Sequence, residues 1–257
     1  MTPATPATCS TEPRPGLRAA AGLAGAFVFG CLLLGPGVAT ASEKTGTVAG
    51  RIRFEGTPPT PPTITMTADP ACDAMFPAGR PAEVLLVSAD GGLANVIVHV
   101  VDGLPEDYQA PPVPAPAVMD QQGCAYVPHV IGLRTGQELE VRNGDSTLHN
   151  VDARPRINNA FNEAMPVKGV VIRKSFARAE LPVKFKCDIH PWMSAYLGVF
   201  DHPFFAVSAA DGSFAIPGLP EGEYTVEAWH EMLGVRSAKV EVDAGGQARL
   251  EFTFAGK

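Results

Sequence analysis

Three side chains that bind soft metal ions lie close together in the segment CDIHPWM. Cys187 offers a thiol, His190 an imidazole and Met193 a thioether. A second imidazole, that of His149, lies upstream. Two histidines, one cysteine and a weakly bound methionine are the ligands of electron-transfer copper sites. The sequence therefore predicts one mononuclear copper site held by these four side chains.

Other metal sites fit these residues less well. A structural zinc site usually has more cysteines, arranged in closely spaced pairs. A dinuclear copper centre would need a second cysteine in the loop, which Asp188, Ile189 and Pro191 do not provide. Two histidines with Asp188 would form an iron oxygenase triad, but they would leave Cys187 unexplained. Taken singly, Cys187 is an ordinary buried thiol and Met193 core filler, so the copper prediction depends on the whole set.

Strands are predicted on both sides of these residues. Glu138–Arg142 is typical of a strand that ends at an Asn-Gly-Asp turn, and His149 follows that turn. Val183–Phe185 and Ala195–Phe200 are predicted strands, and the segment Cys187–Met193 forms the tight loop between them. Such a loop allows its thiol, imidazole and thioether to converge, while His149 approaches from a neighbouring strand end.

The composition indicates an all-β protein of one or two domains. The chain has 257 residues, of which 46% are hydrophobic and 18% charged, with 26 glycines and 25 prolines. Valine-rich runs such as Leu93–Asp102 alternate with turn dipeptides, and no long amphipathic helix is indicated. Lys44–Gly56 predicts a first strand, the proline-rich TPPTPPTITM an extended connector, and Arg154–Lys168 a loop.

Residues 1–41 are typical of a secretory signal peptide. Arg14 and Arg18 precede the apolar run Ala19–Val38, and Ala-Thr-Ala then gives a cleavage site before Ser42. The run is just long enough for a transmembrane anchor, but glycines and a proline interrupt it. We therefore expect cleavage and a periplasmic protein without a stable membrane span.

The cysteine count supports the metal prediction. Cys72, Cys124 and Cys187 follow the signal peptide. In an oxidising compartment Cys72 and Cys124 are expected to form a disulfide, with two free thiols as the alternative, and Cys187 is then left over.

Charge and motifs exclude several functions. The formal net charge is −7, and no basic stripe with interleaved aromatic residues indicates a nucleic acid partner. A mildly acidic surface suits a basic redox partner, and it suits plain solubility equally well. The sequence has no G-x-S-x-G, glycine-rich phosphate loop or H-E-x-x-H motif, so we expect a protein that is not an enzyme.

The surroundings of the predicted site resemble those of cupredoxins, the blue copper proteins. The likeness covers roughly residues 94–202 and is carried by GQELEV from Gly136, the NGD turn, His149-Asn150-Val151 and the C-x-x-H-P-x-M loop. The short loop is most similar to the ligand loop of the amicyanin type. The resemblance implies a type 1 copper site in a Greek-key β-sandwich.

That resemblance also implies roles for individual residues. Asn150 would tie the two ligand loops together, and Pro191 would remove a backbone N–H beside the cysteine sulfur. His190 would be the ligand nearest the surface, through which electrons enter and leave.

The C-terminal part resembles the carboxypeptidase regulatory-like family. Ala210–Phe214 and Leu219–Tyr224 carry this likeness, which implies a small transthyretin-like β-sandwich without activity. Gly46–Gly50 looks like the start of the same kind of unit. An insertion of the copper domain into a discontinuous sandwich, built from residues 43–92 and 203–257, is therefore an open alternative.

Together these features predict an all-β protein, with a cupredoxin Greek-key β-sandwich plus a small transthyretin-like β-sandwich. The expected segments are a signal peptide (1–41), an N-terminal β segment (43–92), the copper domain (93–202) and the second sandwich (203–257). The predicted function is one-electron transfer with a periplasmic redox protein such as a c-type cytochrome or a dehydrogenase. The alternatives are a copper-handling protein without redox turnover, and an interaction module with a structural copper site.

Overall fold

The computed structural model describes residues 44–256, so the predicted signal peptide lies outside the described residues. Within them the prediction of an all-β protein is confirmed, since strands dominate and the helix has six residues. None of this part of the chain forms a helix with the length and apolar character that a bilayer crossing requires. In chain order the elements are β1 (Gly46–Glu55), β2 (Thr63–Ile64), α1 (Pro70–Met75), β3 (Arg80–Pro81), β4 (Ile97–Asp102), β5 (Ala117–Gln121), β6 (Tyr126–Val127), β7 (Val130–Arg134), β8 (Glu138–Asn143), β9 (His149–Arg154), β10 (Phe161–Met165), β11 (Val171–Ser175), β12 (Glu180–Lys186), β13 (Ser194–Phe200), β14 (Phe205–Val207), β15 (Ser213–Leu219), β16 (Gly222–His230), β17 (Gly234–Val242) and β18 (Gln247–Ala255).

Two sheets enclose the core on which the predicted ligands lie. One has the order β10-β9-β12-β13-β7 and the other the order β11-β8-β5-β6. Strand β8 shows why they pack together. Leu139 and Val141 are buried, whereas the alternate residues Glu138 and Glu140 are half-buried and Arg142 is exposed. That alternation gives each strand one apolar face for the shared core. The core also contains Cys187.

The remaining long strands form a second pair of sheets. Their orders are β15-β1-β18 and β14-β4-β16-β17, and their inner faces share one hydrophobic core. Strand β1 lies parallel to β18, with Thr47 opposite Gln247 and Glu55 opposite Ala255. Both β1 and β4 therefore pair with C-terminal strands, which differs from the predicted boundaries at residues 93 and 203. The pairing has the arrangement of a discontinuous sandwich, which the sequence analysis left as the alternative.

Strand β10 lies where the sequence predicted a loop, and helix α1 lies in a stretch for which no element was predicted. Strand β10 pairs with β9 inside the predicted loop, with Met165 opposite His149. Helix α1 follows the proline-rich connector, and its cap Asp69 accepts hydrogen bonds from the N–H groups of Ala71 at 2.7 Å and Cys72 at 3.1 Å. A carboxylate cap followed by a proline at the first helical position starts a helix even in a short segment.

Candidate metal centre

Sheet register brings the predicted ligands to one end of the first sandwich. His149 is the first residue of β9, and β9 runs antiparallel to β12 with Asp152 opposite Lys186. The loop that follows Lys186 therefore returns beside His149. Strand pairing thus brings His149 and Cys187 close together in space although they lie far apart in the sequence.

Backbone hydrogen bonds fix the shape of the ligand loop. The N–H of Cys187 donates to the carbonyl of Met193 at 3.2 Å, and the N–H of Met193 donates to the carbonyl of His190 at 2.9 Å. The N–H of His190 also points at the Cys187 sulfur, 3.4 Å away. Pro191 is exposed at the tip of this loop. The loop is therefore closed on itself with its sulfur directed inward.

Three electron-pair donors converge inside the protein. Nδ1 of His149 lies 2.9 Å from Nδ1 of His190, and Nδ1 of His190 lies 3.7 Å from the Cys187 sulfur. The ligand atoms of all three residues lie within 4.8 Å of one another. These three side chains and that of Met193 are buried. The structure thus brings together the thiol and both imidazoles of the predicted set, and it buries the thioether in the same loop.

A carboxylate faces the outer nitrogen of each imidazole. Nε2 of His149 lies 3.0 Å from a carboxylate oxygen of Asp145, and Nε2 of His190 lies 3.0 Å from one of Asp69. A carboxylate only accepts hydrogen bonds, so each Nε2 carries a proton and donates it. The Nδ1 lone pairs of both rings are thereby directed toward the cysteine sulfur, as in the carboxylate–histidine–metal arrangement.

Neighbouring groups set the protonation of the cluster. Burial raises the pKa of the Cys187 thiol, but hydrogen bonds from His149 and from backbone N–H groups outweigh it and bring the pKa below its ordinary value. Burial lowers the pKa of His149, but the opposing effects of Asp145 and Cys187 are larger together and raise that pKa to about 9. These contacts therefore stabilise the charged forms of both groups relative to their ordinary acid–base balance. Metal ions displace protons from such groups when they bind.

Asn150 ties the start of β9 to the ligand loop. Its side-chain oxygen accepts from the N–H of Asp188 at 2.6 Å, and its Nδ2 donates to the Asp188 carboxylate at 3.0 Å. Asn162 donates to the same carboxylate at 2.8 Å. These bonds from Asn162 and Asn150 lower the pKa of Asp188. The contact joins the two chain segments that carry the ligands.

The structure covers His190, which was expected to be the ligand nearest the surface. It is 1% exposed, against 0% for His149 and Cys187, because Asp69 and the half-cystine Cys72 lie against its Nε2 edge. The ring of Trp192 lies beside it, with ring centroids 5.1 Å apart, and is half-buried. The covering residues belong to a segment that the cupredoxin resemblance does not include.

Two residues of the site, Asp69 and Asp145, were not among the predicted site residues. Asp69 precedes Pro70, a pair typical of a helix start, and Asp145 ends the Asn-Gly-Asp turn before His149. Neither signal indicates a contact with a histidine. The disulfide between Cys72 and Cys124, by contrast, is confirmed, and Cys187 is the free cysteine among residues 44–256.

Comparisons with known proteins give weak similarities. No family model and no curated protein matches this chain. Among solved structures, a copper-containing nitrite reductase from Thermus scotoductus is 19% identical over 38% of this chain, with a TM-score of 0.30. The match spans only 25% of the nitrite reductase chain. A purple cupredoxin from Nitrosopumilus maritimus (20% identical, 32% of this chain, 98% of its own, TM-score 0.29) and an oxidised amicyanin variant (21%, 32%, 79% and 0.29) are also similar.

Proposed function

We propose that this protein is an exported type 1 copper protein that carries single electrons between periplasmic redox partners, such as a c-type cytochrome and a dehydrogenase. The observation that supports this most directly is the convergence of the Cys187 sulfur with Nδ1 of His149 and Nδ1 of His190. A thiolate and two imidazoles, with a weak thioether, form the donor set of electron-transfer copper.

The donor set fits a single copper ion better than the alternatives. Cys187 is the one free thiol of the described chain, so it can supply one thiolate and no bridging pair. The remaining donors are imidazoles, and the nearby carboxylates of Asp69 and Asp145 are engaged by the Nε2 atoms rather than directed at the cluster. Met193, which the loop buries with the cysteine, would supply the weakly bound thioether ligand.

The protein would hold the ligands in the same positions when the charge of the copper ion changes. Copper would supply a one-electron couple at this site. His149, Cys187 and His190 are fixed by a strand end, a closed loop and two carboxylates, and burial excludes water from them. The N–H of His190 directed at the Cys187 sulfur tunes the potential, since hydrogen bonds to that sulfur affect it. Ligands that move little suit fast electron transfer.

The burial of the site bears on the rival function of copper delivery. Neither His149 nor His190 reaches the surface. A ligand from a copper-accepting protein would therefore first have to displace the segment that covers the site. That arrangement favours a retained ion over a delivered one. Because His190 is covered, we assign the electron exit to the half-buried ring of Trp192 beside it.

The rest of the chain completes the proposal. Residues 1–41 would direct export and be removed by cleavage. Residues 203–257, together with β1 and β4, would form the carboxypeptidase regulatory-like sandwich, which has no activity of its own. The protein itself would be a carrier rather than an enzyme.

Addition of Cu(II) to the purified mature chain tests the proposal. We expect an intense visible charge-transfer band at one copper per chain, which Cys187→Ser and His149→Gln abolish. His202→Gln serves as the control because that histidine bonds to backbone groups away from the cluster. A wild-type protein that binds Cu(II) without such a band would rule out the thiolate site.

A further inference from the structure

The two aspartates that face the histidine rings also bind the two ends of the disulfide. Asp69 accepts from the N–H of Cys72 at 3.1 Å. Asp145 accepts from the N–H of Cys124 at 2.8 Å. The bond between the two cysteine sulfurs then joins these halves covalently. The result is a closed ring that runs from one histidine, through its aspartate and the disulfide, to the other aspartate and the other histidine.

We propose that this His–Asp–disulfide ring positions the copper ligands. In it, Asp69 and Asp145 are positioning residues that fix the orientation and the protonated nitrogen of His190 and His149. The disulfide holds the two aspartates at a set separation, and so sets the gap between the two Nδ1 atoms. The inference rests on the proposed function, because it assumes that these Nδ1 atoms bind copper.

The Asp69 half of the ring depends on the disulfide more than the Asp145 half does. Asp145 lies in the turn between β8 and β9, next to the strand that carries His149. Asp69 lies between β2 and β3, which in the described chain pair with each other and with no strand of the copper-site sheets. Its segment is attached at the site by the disulfide, by the hydroxyl of Thr147, which donates to Asp69 at 2.8 Å, and by the packing of Met66 and Phe76 against the core of the same sandwich. The disulfide is the covalent part of this attachment and helps to keep Asp69 against His190.

One substitution of Asp69 changes its contact with His190 while it keeps the helix cap. One carboxylate oxygen accepts from the N–H groups of Ala71 and Cys72, while the other faces Nε2 of His190. In Asp69→Asn the amide oxygen retains the helix cap, which asparagine serves well. The NH₂ group then faces Nε2 of His190, which has to accept and so moves its proton to Nδ1. A protonated Nδ1 cannot bind a metal.

Copper binding to the mature full chain is the test, with Asp69→Asn compared with Asp73→Asn. Asp73 lies on the same helix and its side chain makes no contact with the histidines. The readouts are Cu(II) affinity in competition with a chelator, the visible spectrum and the reduction potential. We expect Asp69→Asn to lose about 10- to 100-fold in affinity and to change the spectrum and the potential. Asp73→Asn should match the wild type in all three.

A second pair of variants tests whether the ring acts as one unit. Cys72→Ser combined with Cys124→Ser removes the link and leaves both aspartates. If the disulfide acts by holding Asp69, adding Asp69→Asn to this pair should cost less affinity than Asp69→Asn costs alone, since contacts in one network are not additive. Additive losses would overturn the coupling. Thr147→Val, which keeps Asp69 and removes one of its donors, gives the same comparison if Asp69→Asn does not fold.

The outcomes separate this inference from the function on which it rests. If the wild-type protein shows no visible charge-transfer band with Cu(II), the copper proposal itself is wrong. A wild-type band with Asp69→Asn unchanged in affinity, spectrum and potential would overturn the positioning role alone.

Discussion

At the scale of single residues, the central feature is a pair of imidazole nitrogens that lie close together beside a thiol. Nδ1 of His149 and Nδ1 of His190 lie 2.9 Å apart, and both outer nitrogens are engaged by carboxylates. Two lone pairs at that distance repel unless a cation lies between or beside them. A proton between the two nitrogens relieves this repulsion in the metal-free protein, and a copper ion would relieve it in the proposed holoprotein.

Asn150 is the residue whose loss should loosen the site without removing a ligand. Asn150→Ala breaks the bonds to the N–H and the carboxylate of Asp188. Because an N–H loses its partner in a half-buried position, we expect a loss of about 1–3 kcal/mol in the free energy of unfolding, together with faster copper release. Urea titration and transfer of copper to a chelator measure the two effects.

Asn162→Ala is the matched control for that prediction. It removes one donor from the Asp188 carboxylate and the Oδ1 that accepts from Nδ2 of Asn150 at 2.7 Å, but it leaves both bonds between Asn150 and Asp188. Copper release at the wild-type rate is expected. If both variants released copper equally fast, the tie between the two loops would not be what retains the ion.

Glu180 gives a pH-dependent prediction away from the metal. Its buried carboxylate accepts from the N–H groups of Arg156, Ile157 and Asn158. Burial raises the pKa of Glu180, but these hydrogen bonds lower it below the ordinary 4.5. A lowered pKa in the folded state stabilises the protein above the unfolded-state pKa, and this contribution disappears as the pH falls through the folded-state value.

The substitution Glu180→Gln should therefore destabilise the protein most at neutral pH. We expect a loss of about 1.5–3 kcal/mol there, unchanged down to about pH 4.5, and a smaller difference from wild type as the pH falls further. Urea unfolding of both proteins across this range provides the measurement. A difference that stays constant in acid would show that the carboxylate charge is not what binds the loop.

At the scale of elements, the sequence predicted what is local and missed what is long-range. Strands β1, β8, β12 and β13 follow from alternating apolar residues and turns, and the ligand loop follows from its spacing. The placement of Asp69 at His190 could not be predicted, because a helix cap and a disulfide bring it there rather than a strand register. No local pattern indicated that β4 pairs with C-terminal strands, because its partners lie far away in the sequence. For β1, the likeness of Gly46–Gly50 to the C-terminal unit left this pairing as an open alternative.

Gly50 tests that pairing directly. It lies on β1 between Leu250 and Phe214 of the neighbouring strands, and an added Cβ would come within 1.6 Å of the Leu250 carbonyl oxygen. Overpacking typically costs about 1–3 kcal/mol. We expect Gly50→Ala to lower the free energy of unfolding by an amount near the top of that range, because the new methyl group meets backbone atoms that cannot move aside easily. Thermal unfolding monitored by circular dichroism measures it.

Gly222→Ala is the matched control on strand β16. An added Cβ there would make ordinary contacts with Tyr224 at 3.6 Å or more. We expect little change in its unfolding temperature. Equal unfolding temperatures for both variants would contradict the order β15-β1-β18.

At the scale of the whole molecule, the two sandwiches form one compact unit with residues shared between them. A small core of Ile97, Val130, Phe200 and Trp229 joins strands of both. Beside it the buried side chain of His129 pairs with Glu231. The sandwich that carries the predicted ligands is thus built onto the second sandwich rather than attached through a free linker.

Deletion of residues 203–257 should therefore not leave a folded copper domain. It removes β14 to β18, so that β1 and β4 lose every strand they pair with and their apolar faces are exposed. We expect aggregation in size-exclusion chromatography and no cooperative thermal transition. A monomeric, cooperatively unfolding product with the copper spectrum intact would show that the first sandwich is independent.

Direct voltammetry of the copper-loaded mature protein tests the central claim most directly. One-electron transfer at a site whose ligands do not rearrange predicts a reversible wave with one electron per copper. Reduced and reoxidised protein should retain its copper in the presence of a chelator, and Cys187→Ser should show no such wave. Release of copper on reduction, or the absence of a reversible wave in the wild type, would contradict an electron carrier.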